Sequence, residues 1–180
     1  LKKLRIAVPG LLTSAYLTLQ LYLGLPHGKF QAVVVPFDKI QDEILTGRVD
    51  AGLLIHEGQL TYAEEGFTLC EDLGKWWSRE TGGLPLPLGG NVVRRALGTE
   101  VIAAVTETLR ESVKYGLDHR QAGVRHALPL SRGMDEQRTD KFIGMYVNDL
   151  TLDFGTRGRA GLQELYGRAH AAGLIRSNPL

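Results

Sequence analysis

Cysteine is almost absent from this sequence: Cys70 is the single one in 180 residues. One thiol excludes an internal disulfide and any cysteine-based zinc cluster. Cys70 ends the segment Phe67-Thr68-Leu69-Cys70, which reads as strand-like, so it is expected to be a small buried hydrophobe. An excess of either charge is also missing. The 21 Lys and Arg against 20 Asp and Glu leave a net +1, with no basic field to hold a phosphate backbone, and no nucleic-acid partner is expected. No run reaches the roughly 18 apolar residues of a membrane span, so no membrane partner is expected. No signal-peptide pattern is visible, which leads to the expectation of a cytoplasmic protein. The chain opens at Leu1 without a methionine, and a further upstream segment is expected.

Several chemical signatures are lacking as well. There is no phosphate-binding G-x-x-x-x-G-K-[ST] and no G-x-G-x-x-G after a strand, so nothing points to a nucleotide cofactor. A zincin pattern starting at His56 would need histidine at position 60, where Leu60 stands. His27, His119, His126 and His170 show no ligand spacing with His56, and no metal site is expected. They read as surface or helix-terminal residues. Internal repeats and low-complexity tracts are absent too.

What the sequence does contain is an ordinary globular composition, 43% apolar and 23% charged. Its first third alternates strand and helix signals. Arg5–Gly10 is a short apolar run closed by a Pro-Gly breaker. Thr13 or Ser14 can cap a helix to about Leu23, with Ala15, Leu19 and Tyr22 on one face and Gly24 closing it. The run from Gln31 to Phe37 holds three consecutive valines and predicts a strand buried on both faces. Asp38 with Gln41 has capping-box spacing, Ile40, Ile44 and Leu45 follow on a stripe, and Gly47 stands where a helix-ending glycine belongs. Asp50–His56 is a third strand. A β-α-β-α-β order implies parallel strands, and ligands in such sheets bind beyond the carboxyl ends of the strands. Those ends are Pro9-Gly10, Phe37-Asp38 and His56-Glu57.

Beyond this unit, Asp72–Thr81 predicts a helix carrying Trp76 and Trp77, which point about 100° apart, so that one of them is core. Leu84-Pro85-Leu86-Pro87-Leu88 alternates proline and reads as an extended connector between lobes. Val101, Val105, Leu109, Val113 and Leu117 form one apolar stripe on a long helix that Thr99 could cap. Shorter helices are predicted over 119–130, 135–146 and 157–172. A helical tail of this kind needs a sheet to cover, and this chain barely contains one. The lobes are read as 1–85, carrying the His-Glu pair, and 86–180, holding the crossover segment and the helices of the other, incomplete lobe.

Histidine suits proton transfer near neutral pH, and His56 stands at the functional edge of the sheet. The alternative is a loop histidine bonded locally, and strand alternation does not make His56 and Glu57 a dyad. In Pro9-Gly10-Leu11-Leu12-Thr13-Ser14-Ala15 a strand runs into a helix N-terminus, whose N–H groups and hydroxyls suit a carboxylate or other anion. Simple N-capping explains the same residues. Arg94-Arg95 reads as surface charge.

Taken together, Leu53-Leu54-Ile55-His56-Glu57-Gly58-Gln59-Leu60-Thr61-Tyr62, Asp72-Leu73-Gly74-Lys75-Trp76-Trp77 and Thr81-Gly82-Gly83-Leu84-Pro85-Leu86-Pro87-Leu88-Gly89 resemble the 1,4-dihydroxy-6-naphthoate synthase family of menaquinone biosynthesis. Val8-Pro9-Gly10 with Thr13-Ser14-Ala15-Tyr16, and Tyr146-Val147-Asn148, fit the same pattern in the same order. The resemblance implies an α/β, periplasmic-binding-protein-like (type 2) two-lobed fold, one lobe of which is incomplete in this chain. It implies a lyase that converts the small molecule cyclic dehypoxanthinyl futalosine to 1,4-dihydroxy-6-naphthoate on the futalosine route, with no metal or organic cofactor. His56 corresponds to the family's proposed base, and Thr13 and Ser14 to its ligand-contacting hydroxyls, Ser14 standing where threonine is common. Gly10 and Glu57, beside them, complete the expected substrate-binding set. Family members carry a further segment before the position of Leu1. Without it an exposed cleft favours self-association, so a homo-oligomer is compatible with this reading. The rival readings are a chorismate dehydratase-like sibling of the pathway and a non-catalytic solute-binding module.

Overall fold

The structure, a computed structural model, describes residues 3–26, 28–131 and 133–179. His27 lies outside the described residues, as do Leu1, Lys2, Arg132 and Leu180. The chain divides into two compact units, Leu1–Leu88 with Thr156–Leu180, and Gly89–Gly155.

The first unit is built on a parallel sheet of three strands in the order β2-β1-β3. Strand β1 (Arg5–Val8) is central, β2 (Gln31–Val34) pairs along its whole length, and β3 (Ala51–Gly52) is brief. Helix α1 (Ser14–Leu23) joins β1 to β2, and a 3-10 turn at Phe37–Lys39 followed by α2 (Ile40–Leu45) joins β2 to β3. Side chains alternate across β1, so its two faces seed two cores. Ile6 and Val8 pack with Tyr16, Leu19, Leu23 and Phe30, while Ala7 packs with Val35, Ile40 and Val49. Gly52 lets α2 lie close on the sheet, because a Cβ there would run into the side chains of Ile40 and Ile44.

Local signals behave as their chemistry demands at several places. Gly24 ends α1 in the left-handed region, at φ 63°, and its N–H donates to the carbonyls of Gln20 and Leu21. Gly47 takes φ 70° after α2 and donates to the carbonyl of Ile44. Asp72 caps α4 (Leu73–Glu80), accepting from the N–H groups of Gly74 and Lys75. Before α4 comes a single turn, α3 (Gly58–Thr61).

Other expectations are corrected. Strand β2 is not buried on both faces: it lies at the sheet edge with Val33 and Val34 exposed, because only β1 pairs with it among the described residues. Asp38 does not cap α2. The residue before α2 is Lys39, which makes no side-chain cap, and the Gln41 amide donates instead to Glu65 at 2.7 Å. Phe67–Cys70 forms no strand, and Cys70 is exposed. Position 99 does not cap the long helix α5 (Thr99–Asp118), since Gly98 occupies the cap and Thr99 is the first helical residue.

In the first unit the connector is tied to the helix before it. Trp77 is fully buried and its indole N–H donates to the carbonyl of Pro85 at 3.2 Å. Trp76 is half-buried, edge-on to Tyr22. The second unit holds α5, α6 (Arg120–Ala127), α7 (Glu136–Tyr146) and the single turn α8 (Asp149–Leu152). Arg120 ties α6 to α7 through the carboxylate of Asp140 at 2.6 Å and its carbonyl at 2.8 Å. Helix α5 buries none of its residues, and Val101, Val105 and Leu109 of its stripe are exposed. The closing helix α9 (Gly155–Ala171) returns to the first unit, where the sequence pattern had grouped it with 86–180. Gly161, buried on this helix, lets it lie against Pro85. Arg157 donates to the carbonyl of Gly83 at 2.6 Å. Arg168 lies over the Trp77 ring at 5.4 Å and donates to the carbonyl of Glu80.

Candidate active site

The three parallel strands point their carboxyl ends to one edge, where the loops after β1, β2 and β3 carry the predicted residues. After β1, the Thr13 hydroxyl accepts from the Tyr16 N–H at 3.1 Å and donates to the carbonyl of Gly10 at 2.9 Å. Thr13 is therefore the cap of α1, and its proton is committed to Gly10. The choice the sequence left open, between Thr13 and Ser14, is decided by backbone conformation. Thr13 is extended, at φ −94° and ψ 148°, whereas Ser14 is the first helical residue. Ser14 is released from capping, and its hydroxyl donates to the carbonyl of Leu88 at 2.6 Å, at the end of the proline-rich connector.

After β3, the ladder ends where the Leu53 N–H donates to the carbonyl of Ala7 at 2.8 Å. His56 then adopts φ 56°, and it is the only non-glycine residue with positive φ among the described residues. Left-handed backbone of this kind brings Cβ against the following carbonyl and typically costs about 1–2 kcal/mol. Glu57 returns to right-handed geometry, at φ −60° and ψ −30°, and starts the turn of α3. The two residues thus stand in unlike conformations. His56 is half-buried, and its imidazole lies on the Phe37 ring, with centroids 4.3 Å apart and planes tilted by 42°. Phe37 follows β2 and His56 follows β3, yet β2 and β3 lie on opposite sides of β1.

The turn after His56 is itself braced. Gln41 on α2 packs against Gly58, where an added Cβ would lie 3.2 Å from its amide oxygen, and donates to Glu65. The Thr61 hydroxyl donates to the same carboxylate at 2.7 Å. At the opposite end of the sheet, the Arg5 guanidinium holds the Asp50 carboxyl down at about 2 through a hydrogen bond. Burial pushes the Tyr16 phenol up.

Sequence reasoning placed Phe37 at this edge without giving it a role, and passed over Gln41 and Glu65. Phe37 carried a usable signal, because it sits at a strand end beside the two others singled out there. Gln41 carried a misleading one, its capping-box spacing. Of the other described histidines, His126 lies on α6 and His170 on α9, and His119 ends α5, its ring stacked on Tyr115 at 4.0 Å. Arg94 and Arg95 are exposed. No group of three His, Cys, Asp or Glu among the described residues is placed to hold a metal ion.

The chain is similar to two curated proteins named 1,4-dihydroxy-6-naphtoate synthase. That of Streptomyces coelicolor is 37% identical over 94% of this chain and 61% of its own length. That of Thermus thermophilus is 38% identical over 99% of this chain and 64% of its own. The chain thus spans less than two thirds of these relatives. A protein of Archaeoglobus fulgidus known from a crystal structure is 43% identical, covering 97% of this chain and 64% of that one, with a TM-score of 0.90. The model of one protein family, described as menaquinone biosynthesis, matches residues 1–171. On that match, which takes in every residue of the edge just described, the chain belongs to the menaquinone biosynthesis family.

Proposed function

We propose that this chain forms the larger part of a 1,4-dihydroxy-6-naphthoate synthase. In this reading it is a lyase acting on cyclic dehypoxanthinyl futalosine within a two-lobed, periplasmic-binding-protein-like fold. The observation that carries the reading is His56: an imidazole at the carboxyl edge of a parallel sheet, on strained backbone, against an aromatic ring. Strain of this kind survives where the surrounding structure holds it, and it concentrates at functional sites. A turn alone would be served by glycine or asparagine.

In the reaction His56 takes a proton from the sugar-derived part of the substrate, the carbon–carbon bond to that part breaks, and the ring system left behind aromatises. Aromatisation supplies the driving force, so the protein has to supply a positioned base and a shaped cleft. The N–H groups at the N-terminus of α1 orient a polar or carboxylate group of the substrate, and Ser14, whose hydroxyl proton goes to Leu88, offers its oxygen to a donor on the substrate. Gly10 and Thr13 hold that turn in shape, and Glu57 sets the backbone that follows the base.

The test is to incubate the intact protein with cyclic dehypoxanthinyl futalosine and follow naphthoate by mass and absorbance. Product is expected, and His56→Ala should abolish it while the protein stays folded. Binding without turnover by the folded, intact protein would favour a solute-binding module instead. Full activity in His56→Ala would remove His56 from the mechanism.

A further inference from the structure

We infer that Phe37 is a positioning residue for His56, an inference that rests on the reading of His56 as the base. The backbone at φ 56° sets where the imidazole starts, and the side chain's own torsions set where it ends. A ring with its centroid 4.3 Å away and tilted by 42° restricts that rotation by direct contact. Two heterologous loops thus meet at one side chain, and each limits a different degree of freedom.

The platform is suited to the task because it is anchored on both sides. Val35, two residues before Phe37, is buried and its N–H donates to the carbonyl of Val8 at 3.0 Å. Pro36 restricts the backbone between them, and its carbonyl accepts from the Lys39 N–H at 2.8 Å, closing the short turn. Ile40, three residues after Phe37, is fully buried. The segment downstream of His56 is braced by Gln41, from the helix that this same turn begins. Phe37, which meets His56, and Gln41, which meets Gly58, therefore come from one continuous stretch of chain, 35–41.

The expected consequence is a split between the kinetic constants. A base displaced by a fraction of an ångström still leaves the substrate bound, whereas proton transfer suffers. In the intact protein Phe37→Leu should lower kcat by roughly 10- to 100-fold with KM changed little. Phe37→Tyr keeps the ring and should restore kcat to within a few-fold of the natural enzyme. A direct readout needs no turnover: the Hα–Hβ couplings of His56 in NMR report its χ1 populations, which should show one dominant rotamer in the natural protein and in Phe37→Tyr and a mixture in Phe37→Leu. Unchanged couplings in Phe37→Leu would overturn the inference, as would an unchanged kcat where His56→Ala is inactive. Should His56→Ala remain active, the reading of the base falls by itself, and the couplings still decide whether Phe37 orders the ring.

Discussion

Gly161 on the last helix lies against the carbonyl of Pro85, so closely that a Cβ at position 161 would stand 2.5 Å from that oxygen. The same carbonyl accepts the indole N–H of Trp77. One backbone oxygen of the proline-rich connector is thereby held between a helix early in the chain and the helix that ends it. Gly161→Ala must push α9 off this oxygen and should destabilise the protein by about 1–3 kcal/mol. Gly167 lies on the same helix with open space around its Cα. Gly167→Ala should stabilise by about 0.5–1 kcal/mol, since alanine is the better helix former. Urea denaturation of the two variants, read against the unmodified chain, checks both signs.

The pair Arg5–Asp50 sets an acid-side pH dependence. The folded carboxyl titrates at about 2 against an ordinary 3.8, so the folded protein binds fewer protons than the unfolded chain in this window. Its contribution is complete above the ordinary value and is lost as pH falls towards 2. Asp50→Asn should flatten that part of the stability curve and leave its shape unchanged at neutral pH. The effect is small, because both side chains are well exposed. Thermal melts between pH 2 and 5 (roughly the window set by these values) measure it.

Thr13 and Ser14 separate into two roles. Thr13→Ala removes the cap of α1 and should cost about 1 kcal/mol, most of which Thr13→Ser returns. Ser14→Ala removes no cap and should leave the stability of α1 nearly unchanged, while weakening substrate binding under the proposed function. Denaturation midpoints together with KM distinguish the two.

Cys70 is exposed. A thiol reagent such as Ellman's should therefore titrate one group per chain in the folded state, at a rate close to that in denaturant. A buried thiol would react only on unfolding.

The parts of this fold that could be read in the sequence are those settled within a few residues. The order of strands and helices follows from short apolar runs and their punctuation. Gly24, Gly47 and Asp72 follow from the backbone groups that a helix end leaves unpaired, and the placing of His56 at the carboxyl edge follows from strand order. What misled were patterns with more than one partner available. Asp38 and Gln41 have capping-box spacing, but Glu65, 24 residues away, offers Gln41 a carboxylate and wins it. The valines of β2 suit a covered strand, yet its edge position leaves Val33 and Val34 exposed.

The amino-acid sequence by itself determined the local conformations, the parallel order of β1 to β3 and which chemical groups stand at their ends, since each depends on neighbours along the chain. Tertiary structure alone decided which apolar faces are covered, that Cys70 lies outside, that α9 returns to Pro85, and that Phe37 meets His56. Burial and side-chain contact are set by residues distant in sequence. No periodicity records which loop closes over the end of β1 until the strands have paired.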